Sequence, residues 1–176
     1  MKDIKLRLIS ELMRNSKVSD RELARRLGVS QPTVGRIRMK LEKEGYIKEY
    51  TVIPDFVKLG FQLASFILVK VKRDLSKGEM EKARQTALKD MAEKAPDEIV
   101  LFNRGNGGGY SGVLVSFHKS YSDFRGLMER MRQYPFVDTT ATLSFLVDLN
   151  DEIQYRSFTF STLAKHVLTL NDQQEK

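Results

Sequence analysis

The stretch Ser19-Asp-Arg-Glu-Leu-Ala-Arg-Arg-Leu-Gly-Val-Ser30, followed at once by Gln31-Pro-Thr-Val-Gly-Arg36, leaves the chain few ways to fold. Ser19 and Glu22 have the spacing of a capping box, and Leu23, Ala24 and Leu27 fall on one helical face. Gly28-Val29 interrupts that period, and the glycine can take a left-handed turn conformation cheaply. Ser30 is a good N-cap for the next helix, Pro32 fits its first turn, and Gly45 closes it after about Glu44. In that helix Val34, Ile37 and Leu41 form the inward stripe, while Gln31, Thr33, Gly35, Arg36 and Lys40 lie on or beside the outward side. Two short helices joined by a tight turn, the second with a polar and basic surface, make a helix-turn-helix. That arrangement presents a recognition helix to the DNA major groove.

The charge distribution points to the same segment. Residues 1–60 hold 14 Lys/Arg against 8 Asp/Glu, whereas residues 61–176 hold 16 against 15. Nearly all of the net charge of +7 therefore sits beside the motif, where a polyanionic partner would meet it. The chain has no cysteine, which removes disulfides, thiolate chemistry and cysteine-based metal sites. His118 and His166 are the only imidazoles, and neither has a metal-site spacing of carboxylates around it. No metal and no cofactor is expected, and both histidines read as structural or solvated. No run approaches the ~20 apolar residues that span a bilayer, and the N-terminus lacks an uninterrupted apolar signal core. A cytoplasmic protein with no membrane partner is the expectation.

Ile4, Leu8 and Leu12, with Ile9 beside them, predict a first helix over about 3–14. Tyr46 to Ile53 reads as a short strand or wing, ended by Pro54-Asp55, and Phe56 to Gly60 as a linker turn. Beyond it the pattern changes to a β-rich run from Leu63 to Val71. A helix capped at Ser76 follows, with Met80, Ala83, Ala87 and Met91 on one side. Strands at Ile99–Phe102 and Val113–Phe117 flank the run Arg104-Gly-Asn-Gly-Gly-Gly109, read as a hairpin loop. A helix capped at Ser120 carries Phe124, Leu127, Met128 and Met131, and a last strand runs over Thr140–Val147. The order β-α-β-β-α-β is that of a ferredoxin-like module. The fold class is thus α+β, a winged helix-turn-helix followed by a ferredoxin-like domain. The expected domains are 1–60, 61–149 and a C-terminal extension over 150–176.

Several strands are apolar on both faces: Leu63, Ile67 and Val69 on one side, Ala64, Phe66 and Leu68 on the other. Two helices cover only one face of such a sheet, so a second subunit is the economical cover for the other. The extension holds Ile153, Tyr155, Phe158, Phe160, Leu163, Val167 and Leu168, too apolar for a free tail. It is expected to pack on the second domain or a neighbouring subunit, with only Asn171 onward loose.

Glu22-Leu-Ala-Arg-Arg-Leu-Gly-Val-Ser30, then Thr33-Val34, Leu41-Glu42, Gly45-Tyr-Ile47 and Lys58-Leu-Gly60, resemble the Lrp/AsnC family of prokaryotic transcription factors over about residues 3–149. The resemblance implies a double-stranded DNA partner, homodimers and often octamers. It also implies a small-molecule effector, commonly an amino acid, bound between subunits near the hairpin. Gly108, Gly109, Tyr110 and Ser111 become candidate effector residues on that basis. Two departures stand out. The family's mid-helix arginine followed by an aliphatic residue is inverted here as Ile37-Arg38, and Ser111 stands where the family's Gly-x-x-Asp hairpin carries its carboxylate. That loss makes an amino-acid ligand less natural, since its ammonium group wants an anion.

Ser30, Gln31, Thr33, Gly35 and Arg36 are the candidates for base edges or nearby phosphates, because glutamine pairs with adenine, arginine with guanine, and glycine admits a close backbone. Arg25, Arg26, Arg38, Lys40 and Lys48 are candidates for phosphate neutralisation, and Arg21 for an ion pair with Glu22 or Glu44. Two other functions fit less well. One is an effector-independent protein that organises DNA. The other is an enzyme like the haem-biosynthesis decarboxylases that share this two-domain arrangement, although Arg104 has no histidine cluster near it in sequence. No catalytic residue is assigned.

Overall fold

The computed structural model describes residues 2–72, 74–94, 96–156 and 158–169, with the side chains of Lys2, Asp3, Met91 and Ala92 outside that description. The chain divides into two compact units, one formed by residues 1–53 with 154–176 and one by 54–153.

The first unit contains α1 (Lys2–Arg14), α2 (Asp20–Leu27), α3 (Gln31–Lys43) and, from the far end of the chain, α6 (Leu163–Thr169). Its core is formed by Leu8, Leu12, Leu23, Leu27, Val34 and Leu41, with Ile9, Ile37 and Ile47 packed around it. The Ser19 hydroxyl accepts from the Glu22 amide at 3.2 Å, and Gly28 ends α2 at φ 71°. Ser30 caps α3 by accepting from the Thr33 amide, and Gly45 follows that helix at φ 74°. The helix-turn-helix thus forms from the local signals that predicted it. Residues 46–53 join no ladder among the described residues. Tyr50 holds that arm to α3 by donating to Glu42 at 2.7 Å and accepting from Arg38 at 3.3 Å.

The extension behaves differently from expectation. From Gln154 on it belongs to the first unit, where the Ser10 hydroxyl of α1 donates to the Ala164 carbonyl at 2.8 Å. Ser10 and Ala164 are both fully buried, while Tyr155, Ile153 and Phe158 remain exposed. A small residue lets α6 approach α1 closely, and the aromatic residues that suggested burial do not make the contact. The loose stretch expected from Asn171 lies outside the described residues.

The second unit contains β1 (Leu63–Val69), α4 (Lys77–Lys94), β2 (Ile99–Gly107), β3 (Tyr110–His118), α5 (Tyr121–Arg132) and β4 (Leu143–Asp148). Its four strands stand in the order β2-β3-β1-β4, with every neighbouring pair antiparallel. One sheet face packs Ile67, Val69 and Leu114 with Phe124, Leu127 and Met131 of α5. The stripe expected on α5 is therefore buried. On α4, Ala83 is buried but Met80 is 43% exposed, contrary to its expected inward position. The placement of Met91 lies outside the described side chains.

The glycine-rich run is shorter as a loop than the sequence suggested. β2 continues through Arg104 to Gly107, which pairs with Tyr110. Only Gly108 and Gly109 form the turn, at φ 57° and 80°, the pair of left-handed residues that a two-residue hairpin needs. Arg104 opposes Gly112, so three steps on β2 match two on β3 and the extra residue is a β-bulge. Phe56 stacks on Phe117 with ring centres 4.1 Å apart, so the turn over 56–60 packs on the sheet unit.

Candidate nucleic-acid interface

Val34 and Leu41, both fully buried, fix the rotation of α3 about its axis. With that rotation set, Ser30, Gln31, Arg36 and Lys40 are exposed, and Thr33 and Gly35 are half-buried at the edge of the outward face. Thr33 is drawn into the cap: its hydroxyl lies 2.8 Å from that of Ser30 and accepts from the Arg36 guanidinium at 3.3 Å. Arg36 is thereby directed toward the N-terminal end of the helix, where unpaired backbone amides already favour a phosphate. A Cβ on Gly35 would meet only Asp20 Oδ2 at 3.8 Å, so nothing within the fold requires glycine there. A shallow groove beside this face is lined by Ile4, Lys5, Thr33, Arg36, Ile37 and Lys40.

The other basic candidates divide into two groups. Lys48 is exposed, and Lys40 is exposed with a loose 3.6 Å approach to Glu44. Arg25 and Arg26 are instead occupied by Glu22, at 2.6 and 2.8 Å, and Arg26 also reaches Glu11 at 2.7 Å. Hydrogen bonds from Arg25 and then Arg26 hold the Glu22 carboxyl at a pKa of about 2. Glu22 therefore caps nothing with its side chain; the reciprocal half of the expected capping box is replaced by this ion-pair cluster. Glu44 pairs with Lys5 at 2.7 Å, so neither acid serves Arg21 as expected.

Arg38 is the most deeply engaged. Its Nε donates to Asp20 Oδ1 at 3.0 Å, its Nη1 donates to the Tyr50 hydroxyl, and its side chain is only 19% exposed. The inverted Ile37-Arg38 order thus puts a cation where it clamps α2, α3 and the following arm together. Met39, absent from the candidates drawn from sequence, is 62% exposed on the outward face. Its neighbours at helical spacing, Arg36 and Lys43, were the signal that could have found it.

In the second unit the hairpin candidates stay together. Gly108 and Gly109 are exposed, Tyr110 and Ser111 are half-buried, and Lys70 Nζ stands 5.4 Å from the Tyr110 ring centre. Behind them Gly112 is required by packing, because a Cβ there would come within 3.1 Å of the Asn103 carbonyl oxygen. His118 is buried in a polar cluster that sequence reading did not anticipate. Its Nε2 lies 2.9 Å from the Ser116 hydroxyl, which is 2.7 Å from that of Ser65, while Nδ1 has no hydrogen-bond partner. Within the second unit His118 is the single histidine among the described residues, so that unit gives no histidine cluster around Arg104. Among the described residues there is also no group of three or more potential metal ligands, and no helix is long and apolar enough to cross a membrane.

A profile described as "Winged helix-turn-helix DNA-binding" matches residues 1–48. An uncharacterized HTH-type transcriptional regulator of Pyrococcus horikoshii, PH1916, is 32% identical over 151 residues, which are 84% of this chain and 93% of the relative. The regulator LrpC of Bacillus subtilis is 39% identical over 69 residues, covering 39% of this chain. For LrpC and two Pyrococcus regulators the match spans only about half of the relative, 46 to 48% of its length. The solved structure of LrpC superposes with a TM-score of 0.62 at 25% identity, covering 87% of this chain and 96% of LrpC. A feast or famine regulatory protein of Mycobacterium tuberculosis, solved in complex with L-methionine, gives a TM-score of 0.68 at 24% identity over 89% and 97% of the two chains, a likeness of fold. The chain belongs to the Lrp/AsnC family of helix-turn-helix transcriptional regulators.

Proposed function

We propose that the chain is a sequence-specific double-stranded DNA-binding transcriptional regulator. The observation that carries this reading is the outward face of α3, where exposed Gln31, Arg36 and Lys40 stand opposite the fully buried Val34 and Leu41. Gln31 and Arg36 supply base-edge chemistry, and Lys40 and Lys48 supply phosphate neutralisation. Arg25 and Arg26 can join them only by sharing or releasing Glu22.

The regulator works as a homodimer or a larger assembly such as an octamer. Support comes from the sheet face turned away from α5, where Phe66 and Phe145 lie opposite each other and are 44% and 65% exposed. Apolar side chains in such a patch favour a second copy as cover. A small molecule that binds at the Gly108–Ser111 hairpin would shift the assembly, or the spacing of paired recognition helices, and so change which operators are bridged. The L-methionine complex of the mycobacterial relative supports an amino acid as the first ligand to try. The effector-independent reading is favoured by one observation: Ser111 offers no carboxylate for an ammonium group.

Retention of fragmented genomic DNA at near-physiological salt, with sequencing of what is retained, tests the proposal. A recurring pseudo-palindrome near promoters is the expected result, and Arg36→Ala weakens its enrichment. Uniform retention without a motif transfers the reading to DNA organisation, and no retention by a folded oligomer, with or without amino acids, overturns it.

A further inference from the structure

The outward stripe of α3 is not polar throughout. Pro32, Gly35, Arg36 and Met39 stand at i, i+3, i+4 and i+7, the spacing with which a helix lying in the major groove reaches successive base edges. Met39 is 62% exposed there, although its neighbours on that face are cationic. Arg36 precedes it by one turn and Lys43 follows it by one, and a shallow depression joins Met39 to Lys40, Lys43 and Glu44. Because Arg36 is hydrogen-bonded back to Thr33, its guanidinium points away from Met39 and leaves the thioether open.

An apolar side chain with a cation one turn to either side, Arg36 and Lys43, fits a partner that is anionic around an apolar spot. Duplex DNA has that form: phosphates line the groove, and the thymine C5-methyl is the apolar group on its floor. Methionine, unbranched and adaptable, can lie against that methyl without demanding one geometry. Gly35, one turn before Met39, adds to the case, since the missing side chain lowers the helix toward the bases next to it.

We propose that Met39 is a specificity-determining residue that reads a thymine methyl in each operator half-site. The inference rests on the sequence-specific reading above and deepens it. To test it, thymines of the motif selected by the wild-type protein are replaced one at a time by deoxyuridine, which removes only the methyl. Affinity is then measured by fluorescence anisotropy for the wild type and for Met39→Ala. One position per half-site is expected to lose about fourfold in affinity with the wild type, the worth of one buried methyl. Met39→Ala, checked for native helicity, is expected to bind the thymine and uracil forms equally. A motif with no methyl-sensitive position overturns the inference and leaves sequence-specific binding standing. So does a position whose sensitivity survives in Met39→Ala. Failure to recover any motif overturns both.

Discussion

The Ser10 hydroxyl donates to the Ala164 carbonyl at 2.8 Å, although the two residues are 154 apart in sequence, and neither is open to solvent. The chain thus leaves the DNA-binding unit after Ile53, builds the sheet unit, and returns to the first at Gln154. The recognition helix belongs to a unit with two covalent connections to the sheet unit instead of one.

That relationship predicts a stability role for the end of the chain. Ser10→Ala removes one buried hydrogen bond and should cost about 1 kcal/mol. Ending the chain at Ile153 also strips α6 from α1 and should cost more. Urea denaturation followed by helical circular dichroism checks both. An unchanged midpoint in the truncated chain would mean that α6 contributes nothing to the first unit.

Arg36 and Arg38 lie two residues apart and should behave oppositely. Arg36 is exposed, whereas Arg38 is held between Asp20 and Tyr50. Arg36→Ala should weaken operator binding by about 1–3 kcal/mol and relax specificity at one base pair, with little change in stability. Arg38→Ala should leave that specificity alone and lower stability by about 1 kcal/mol, discounted for partial exposure of the pair. Arg38→Lys should not restore it, because one ammonium cannot reach both partners as the guanidinium does.

The contrast also shows where sequence reading runs out. Residues 19–45 were legible because each signal there is local: a capping serine, a left-handed glycine, an apolar period. The role of Arg38 was not, since its counter-charge, Asp20, comes from the neighbouring helix. Glu22 was misassigned because Arg25 and Arg26 on its own helix compete with the cap for its carboxylate. The hairpin was misjudged because a run of glycines reads as loop even where the backbone remains paired, as it does from Arg104 to Gly107. Ser65 and Ser116 carried no signal as single serines in apolar strands; only the register of β1 against β3 sets them opposite each other.

Gly35 separates folding from binding. Its surroundings leave room for a methyl group, and glycine inside a helix is about 1 kcal/mol worse than alanine. Gly35→Ala should therefore raise the thermal midpoint while weakening operator binding, because the added Cβ holds the helix off the bases. Tighter binding together with higher stability would show that no close approach occurs at this position.

Phe145 tests the proposed assembly. It lies opposite Phe66 across β4 and β1 and is 65% exposed, so Phe145→Glu removes no buried core. A charge placed in an apolar subunit interface is strongly unfavourable, and the variant should elute as a folded monomer in light-scattering chromatography. Operator affinity should fall with it, since paired half-sites reward a dimer. A variant that keeps the wild-type mass would place the interface elsewhere.

His118 gives the sheet unit a pH dependence whose sign can be worked out. The ring is 1% exposed beside Phe124, and burial pushes its pKa below the ordinary 6.5. Glu98 and Asp123 pull it back up, while Arg130, which pairs with Glu98, pushes it further down. A histidine whose folded pKa is depressed binds a proton more readily when unfolded. Its stabilising contribution is therefore complete above the ordinary value and is lost as pH falls below 6.5. The melting temperature should drop between pH 7.5 and pH 5. His118→Gln keeps a polar group near Ser116 but cannot titrate, so it should be less stable at pH 7.5 and show a shallower fall toward pH 5. Parallel pH profiles for wild type and variant would show that His118 is not the titrating group. Carboxylates held low by ion pairs would not replace it in this window, because Glu22, at a pKa of about 2, loses its contribution only below the ordinary 4.5.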